Sequence, residues 1–182
     1  MKKALIFVCV LATIFAMTAC SSRRVEWNGE TDYTHVMLSI DEANMYQYVG
    51  TADYVFVGKV TQARTAITAD NDKSSYKITV TENLKGELVD KVVCQKHGGL
   101  LPDGTMVLYA TDSTQDTGLP RTGGSYIFMA YAQPDGSLLL SELYGNVEYT
   151  EARLAEYRGY VEHQQPDGRR RSVSKYDAAE NK

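Results

Sequence analysis

Cysteine is nearly missing from this chain, with three among 182 residues, at positions 9, 20 and 94. Cys9 and Cys20 fall in an apolar leader, which leaves Cys94 as the one thiol of the remainder. That excludes a disulfide framework, so a hydrophobic core must hold the fold, and a chain of this length can build one unaided. Preceded by Val92 and Val93, Cys94 reads as a buried, inert thiol. Positive charge is short as well, with 19 Lys and Arg against 23 Asp and Glu. No basic stripe is present to neutralise phosphates, so nucleic acid is not an expected partner. The three histidines, His35, His97 and His163, are too scattered in sequence to complete a tetrahedral metal site. A Gly-x-Ser-x-Gly elbow and a phosphate-cradling glycine motif are both lacking. What the chain does have in quantity is tyrosine, thirteen in all and every one after Cys20, which suits a β-rich fold.

The leader has the order of a secretory signal. Lys2 and Lys3 precede an apolar run from Ala4 to Met17, then Thr18, Ala19 and Cys20. A helix over that run would be ~21 Å long, short of the ~30 Å hydrocarbon core, so it makes a poor permanent span. The ending Met17-Thr18-Ala19-Cys20 resembles the lipobox of bacterial lipoproteins, with Met17 at the usual leucine position. The resemblance implies a signal peptide over residues 1–19 and lipidation at Cys20. It places the rest on the extracytoplasmic face of a bacterial cell membrane, with the lipid anchor as the membrane contact. Ordinary cleavage beside an incidental cysteine is the alternative. Loss of Lys2 and Lys3 leaves 17 basic against 23 acidic residues, a net charge of −6.

Residues 20–38 are mostly polar and read as a tether, with Trp27 either resting at the lipid interface or packing on the domain. Ser39 and Glu42 fit a capping box, predicting a helix from Ile40 to Val49. Tyr54 to Val60 is a strand apolar enough to be buried on both sides. Ser75 to Glu82 alternates, with Tyr76, Ile78 and Val80 inward, and Val89 to Lys96 follows the turn at Asn83–Gly86. A polar connection, broken by the apolar Met106 to Tyr109, leads to the strand Ser125 to Ala132. Gln133-Pro134-Asp135-Gly136 then turns the chain, and Leu138 to Tyr144 pairs back. Thr150 caps a second helix from Glu151 to His163. Residues 164–182 lack periodic apolar positions and are expected to be disordered. The expected fold is mainly β, a small closed barrel over residues 39–163 with a helix before its first strand and one after its last.

The sequence Ala52 to Val60 (ADYVFVGKV), the later Asn83 to Glu87 (NLKGE) and Gly123 to Tyr131 (GGSYIFMAY) together resemble bacterial netrin-like domains. These are relatives of the inhibitory domain of the tissue inhibitors of metalloproteinases. The resemblance spans about Ser39 to His163 and implies an OB-like barrel. It does not bring the inhibitory activity with it. That activity uses a free N-terminal cysteine held by disulfides, whereas Cys20 here is expected to be acylated.

Candidate chemistry is thin. His97-Gly98-Gly99 is better read as a turn than as an oxyanion loop, and Cys94-x-x-His97 puts its two ligands on opposite faces of a strand. Asp70 to Ser74 starts like a calcium loop, but Ser75 and Thr81 stand where Gly and Glu are needed. Arg169 to Arg171 is a basic run that reads as solvated, or as a contact to anionic lipid or wall polymer. No catalytic, cofactor-binding or metal-binding residue is assigned. The leading expectation is a non-enzymatic binding module for a protein or an envelope component. The rivals are a surface-held hydrolase or carbohydrate-processing enzyme, and a small-ligand binder using tyrosines as stacking surface.

Overall fold

The computed structural model describes residues 25–37, 41, 43–112, 114, 116, 118–165, 167–169 and 171–179. The signal, Cys20 and the capping-box residues Ser39 and Glu42 lie outside the described residues. Five strands close into a barrel in the order β2 (Tyr54–Arg64), β3 (Lys73–Lys85), β4 (Lys91–His97), β8 (Leu138–Leu140), β7 (Ser125–Ala132) and back to β2. All neighbours are antiparallel except β4 and β8, which run parallel. That closed order, with its one parallel pair, is consistent with the expected OB-like barrel.

Closure needs a strand that bends, and β2 supplies it. Its eleven residues pair with β3 on one side and β7 on the other, with register shifts near Val55, Val57 and Val60. Such bulges sharpen the local twist. Gly58 sits at one of them, where a Cβ would fall 2.5 Å from Ile78 Cγ2. No other residue lets the two strands approach so closely.

The expectation that β2 is buried on both faces is met by two cores. Tyr54, Phe56 and Val60 point into the barrel with Tyr76, Ile78, Cys94, Phe128 and Leu140. Val55 and Val57 face outward, with Ile127 and Met129 from β7, into a second cluster under the helices. There α1 (Met45–Thr51) contributes Tyr48 and Val49, and α2 (Glu151–Glu162) contributes Leu154 and Tyr157. Cys94 is fully buried, and burial pushes its thiol pKa up. Native protein should therefore resist a thiol reagent and react once denaturant is added. Rapid labelling of the folded chain would contradict this packing.

Several boundaries differ from the sequence expectation. The helix α1 starts five residues late. The Asp41 carboxylate accepts from Ala43 N, a local turn that competes with helix, and Asn44 takes over as N-cap by accepting from Gln47 N. β3 runs on through Lys85, and β8 ends at Leu140 rather than Tyr144. Thr150 caps α2 as expected.

Two larger corrections concern the ends. Inside the expected tether, β1 (Thr31–His35) lies parallel to β6 (Met106–Ala110), which also pairs with β5 (Gly99–Leu100). This three-stranded sheet joins the barrel through the pairing of Leu100 with the chain after β2. A polar strand gives no periodic signal, and its partner lies some 75 residues away. The expected disordered tail is docked as well. Val89 N donates to Tyr176 O and Ala178 N to Glu87 O, while Lys175 N donates to Gly136 O. The tail thus closes the barrel end that carries the β3–β4 and β7–β8 turns. The remaining strand, β9 (Asn146–Glu148), extends the sheet beside β7. Among the described residues, no helix is long and apolar enough to cross a membrane.

Candidate binding cleft

At the opposite barrel end a cleft of about 1650 Å³ opens between one face of the small sheet and the loops before β7. Thr31 and Tyr33 of β1 line it beside their register partners Met106 and Leu108 of β6. Leu119 and Pro120 face them from the β6–β7 connection, and the start of α2 adds Arg153. Two large aromatics in the cleft stay exposed, Trp27 at 53 % and Tyr33 at 39 %. Small-molecule pockets usually enclose ~300–1,000 Å³. This one is wider, and suits a segment of a larger partner.

Charge in the lining is uneven. Arg64, Arg121 and Arg153 are the cations, Asp116 and Glu148 the anions. Arg153 is bound to Glu156 at 2.9 Å on the surface. Among the described residues Arg64 and Arg121 make no ion pair, and Asp116 is neutralised from below. Its carboxylate meets Lys96 Nζ at 2.9 Å, with both side chains fully buried. Lys96 also donates to the carbonyls of Ser141 and Glu142. Burial lowers the Lys96 pKa, and Asp116 opposes that shift. The Asp116 backbone N–H is held by Tyr109 O, so the pair pins the β6–β7 connection to the barrel mouth. This anchors Asp116 in the cleft floor.

The residues singled out in the sequence are dispersed. Cys94 points into the barrel core, while His97 Nδ1 lies on the other face, 2.8 Å from Asp72. That hydrogen bond holds the Asp72 carboxyl below its ordinary value. His35 lies 3.8 Å from Asp112, and His163 bonds to Gly159 O. Among the described residues, no three His, Cys, Asp or Glu side chains gather as metal ligands. Two members of the basic run are docked rather than free in solvent. Arg169 and Arg171 both bind Asp53, at 3.1 and 3.0 Å, with its carboxylate only 3 % exposed. Arg171 also donates to the carbonyls of Gly50, Thr51 and Ala52 at the end of α1. Nearby Lys85 donates to Val49 O and Gly50 O, and burial, aided by Arg171, pulls its pKa down to about 8. Four of the thirteen tyrosines, Tyr48, Tyr54, Tyr76 and Tyr157, are buried and belong to the cores.

Sequence reasoning passed over Lys96, although a signal was there. Val92 and Cys94 point inward, and period-two alternation carries Lys96 to the same side. An inward lysine requires a buried acid. Nothing local in the sequence marks Asp116 as that acid. No protein-family model and no curated protein matches this chain.

Proposed function

We propose that this protein is an extracytoplasmic binding module, tethered to the bacterial cell membrane through an acylated Cys20, that captures a protein or envelope component in its cleft. The observation that carries this reading is the cleft itself. It combines a volume of about 1650 Å³ with two exposed aromatics, two arginines that make no ion pair among the described residues, and a floor anchored by the Lys96–Asp116 pair. Trp27 and Tyr33 are the kind of side chain that dominates binding energy at protein interfaces. The lipobox-like ending and the netrin-like segments support an exported, OB-like domain of this sort. Val25 follows Cys20 by five residues, at most ~18 Å of extended chain, so an anchored domain holds the cleft close to the bilayer.

Two measurements in cells test the proposal. Two or three acyl chains hold stably where one is marginal, so Cys20→Ser should release the domain or leave uncleaved precursor. A processed Cys20→Ser protein that still fractionates with membranes would end the lipoprotein reading. A photo-crosslinking side chain placed at Tyr33 should give a discrete adduct, and one at Val173 on the tail should not. No adduct at Tyr33, or the same adducts from both sites, would end the binding reading.

A further inference from the structure

Chemistry is sorted across the cleft from one side to the other. The small sheet runs β1, β6, β5 and then the chain after β2, whose Ala66 bridges Leu100. Paired residues share a face, and Thr31, Met106, Leu100 and Ala66 make one row of the cleft floor. In the next row Tyr33 pairs with Leu108, and Arg64, two residues before Ala66, lies at the far side. Three strand spacings of ~4.8 Å separate the two sides, a span of ~14 Å. Arg121 belongs to the Arg64 side, because its loop is bonded to β2 through Gly123 N and Val60 O. The cleft therefore has exposed Trp27 and Tyr33 on one side, an apolar floor of Leu100, Met106 and Leu108, and two arginines on the other.

We infer that the cleft takes an anionic phospholipid of the bilayer its anchor lies in, with the phosphate against Arg64 and Arg121 and the upper acyl chains over the apolar floor toward Tyr33 and Trp27. This rests on the binding-module reading and names the envelope component. Charge selects the headgroup. Arg64 and Arg121 make no ion pair among the described residues, Asp116 is neutralised by Lys96, and Glu148 is the one other acid of the lining. The cleft thus keeps positive charge within a chain of net charge −4. Position selects the bilayer as the source. Val25, the fifth residue after Cys20, already lines the cleft, so the anchor segment enters the fold at the site itself. Arg23 and Arg24 stand in that segment and add basic charge beside the anionic surface. The acyl chains expected on Cys20 carry no charge and leave the arginines unanswered. The ~14 Å separation selects an amphiphile over a bare phosphate, which cannot touch both sides. Exposed Trp27 and Tyr33 are the side chains that settle at the headgroup level of a bilayer.

The sole tryptophan makes Trp27 emission a direct reporter of the cleft. Full-length protein in a nonionic detergent is titrated with phosphatidylglycerol brominated in its acyl chains, and with equally brominated phosphatidylcholine. Saturable quenching by phosphatidylglycerol is expected, at an affinity about tenfold or more above that for phosphatidylcholine. The Arg64→Glu/Arg121→Glu pair should remove that preference. Lys91→Glu, on the exposed side of β4, should leave it unchanged. Glycerol phosphate, a headgroup without chains, should not relieve the quenching. Equal quenching by the two lipids, or none by either, overturns the inference, as does a preference indifferent to the arginine pair. Relief by glycerol phosphate at the lipid's own concentration would make this a site for free phosphate esters, which also overturns it. A tryptophan-free peptide alternating Glu and Val that binds more tightly than the lipid would make a protein segment the occupant, with the same consequence. In each of these cases a protein adduct at Tyr33 in cells would keep the binding-module reading, and loss of every Tyr33 adduct would remove both.

Discussion

Replacing Asp116 with asparagine should destabilise the fold by about 3–5 kcal/mol, the usual result of stripping one partner from a buried ion pair. Lys96 and Asp116 are both fully buried and 2.9 Å apart. Desolvation already lowers the lysine's pKa, and Asp116 is the main influence holding its charge. Without that carboxylate the ammonium keeps only the carbonyls of Ser141 and Glu142. For a domain of this size the loss corresponds to a drop of roughly 10 °C in Tm. The variant should also recover stability as the solution becomes alkaline. A lysine with a depressed folded pKa binds fewer protons than the unfolded chain between that pKa and its ordinary value, so stability rises with pH across that window. Replacing both partners, Lys96→Met with Asp116→Leu, should restore most of the loss, since a well-packed apolar pair avoids the desolvation cost. Thermal melts of the three variants at pH 7 and pH 9.5 measure this. An Asp116→Asn protein melting within a degree or two of its parent would mean that the pair does not hold the cleft floor.

The sequence reading was most reliable where one strand carried its own signal. Ser125–Ala132 emerged with the bounds its apolar run implied, and Thr150 capped its helix as the hydroxyl and spacing required. The apolar start of β2 correctly implied burial on both faces, because no half-exposed strand tolerates Val55, Phe56 and Val57 in succession. Elements stabilised from a distance were illegible. Thr31–His35 is a strand only because β6 offers a matching edge, and its own composition points to a linker. The tail was misread for a related reason. Arg169 and Arg171 look like solvated charge until Asp53 and the carbonyls closing α1 are seen beside them. The cleft depends on the misread tether, through Trp27, Thr31 and Tyr33, and so had no precursor in the sequence reading. Only its Trp27 and the inward parity of Lys96 were visible in advance.

The docked tail leads to the second large effect: a chain ending at Gln165 should lose about 3 kcal/mol. Deleting the rest takes both guanidinium partners from Asp53, whose carboxylate is 3 % exposed and keeps only the Ala132 N–H. It also takes the arginine donors from the carbonyls of Thr51 and Ala52 at the end of α1, and leaves Gly50 O to Lys85. Tyr54, whose hydroxyl burial pushes up to about 12, loses its bonds to Asp177 and Ser174 N. The arginines themselves remain 31–41 % exposed, so solvent screening holds the loss toward the low end of the ~3–5 kcal/mol typical of a broken buried pair. A double-mutant cycle separates the ion pairs from the rest of the strap. Asp53→Asn should be costly in the full-length chain but nearly neutral, or even stabilising, in the shortened one, where the charge has already lost its partners. For the same reason, residues 39–163 alone should be markedly less stable than the full chain, since they lack both this strap and β1. Urea unfolding of the four proteins of the cycle gives the coupling directly. If Asp53→Asn costs the same with and without the tail, the arginines contribute nothing to the fold and the strap is held by its backbone pairing alone.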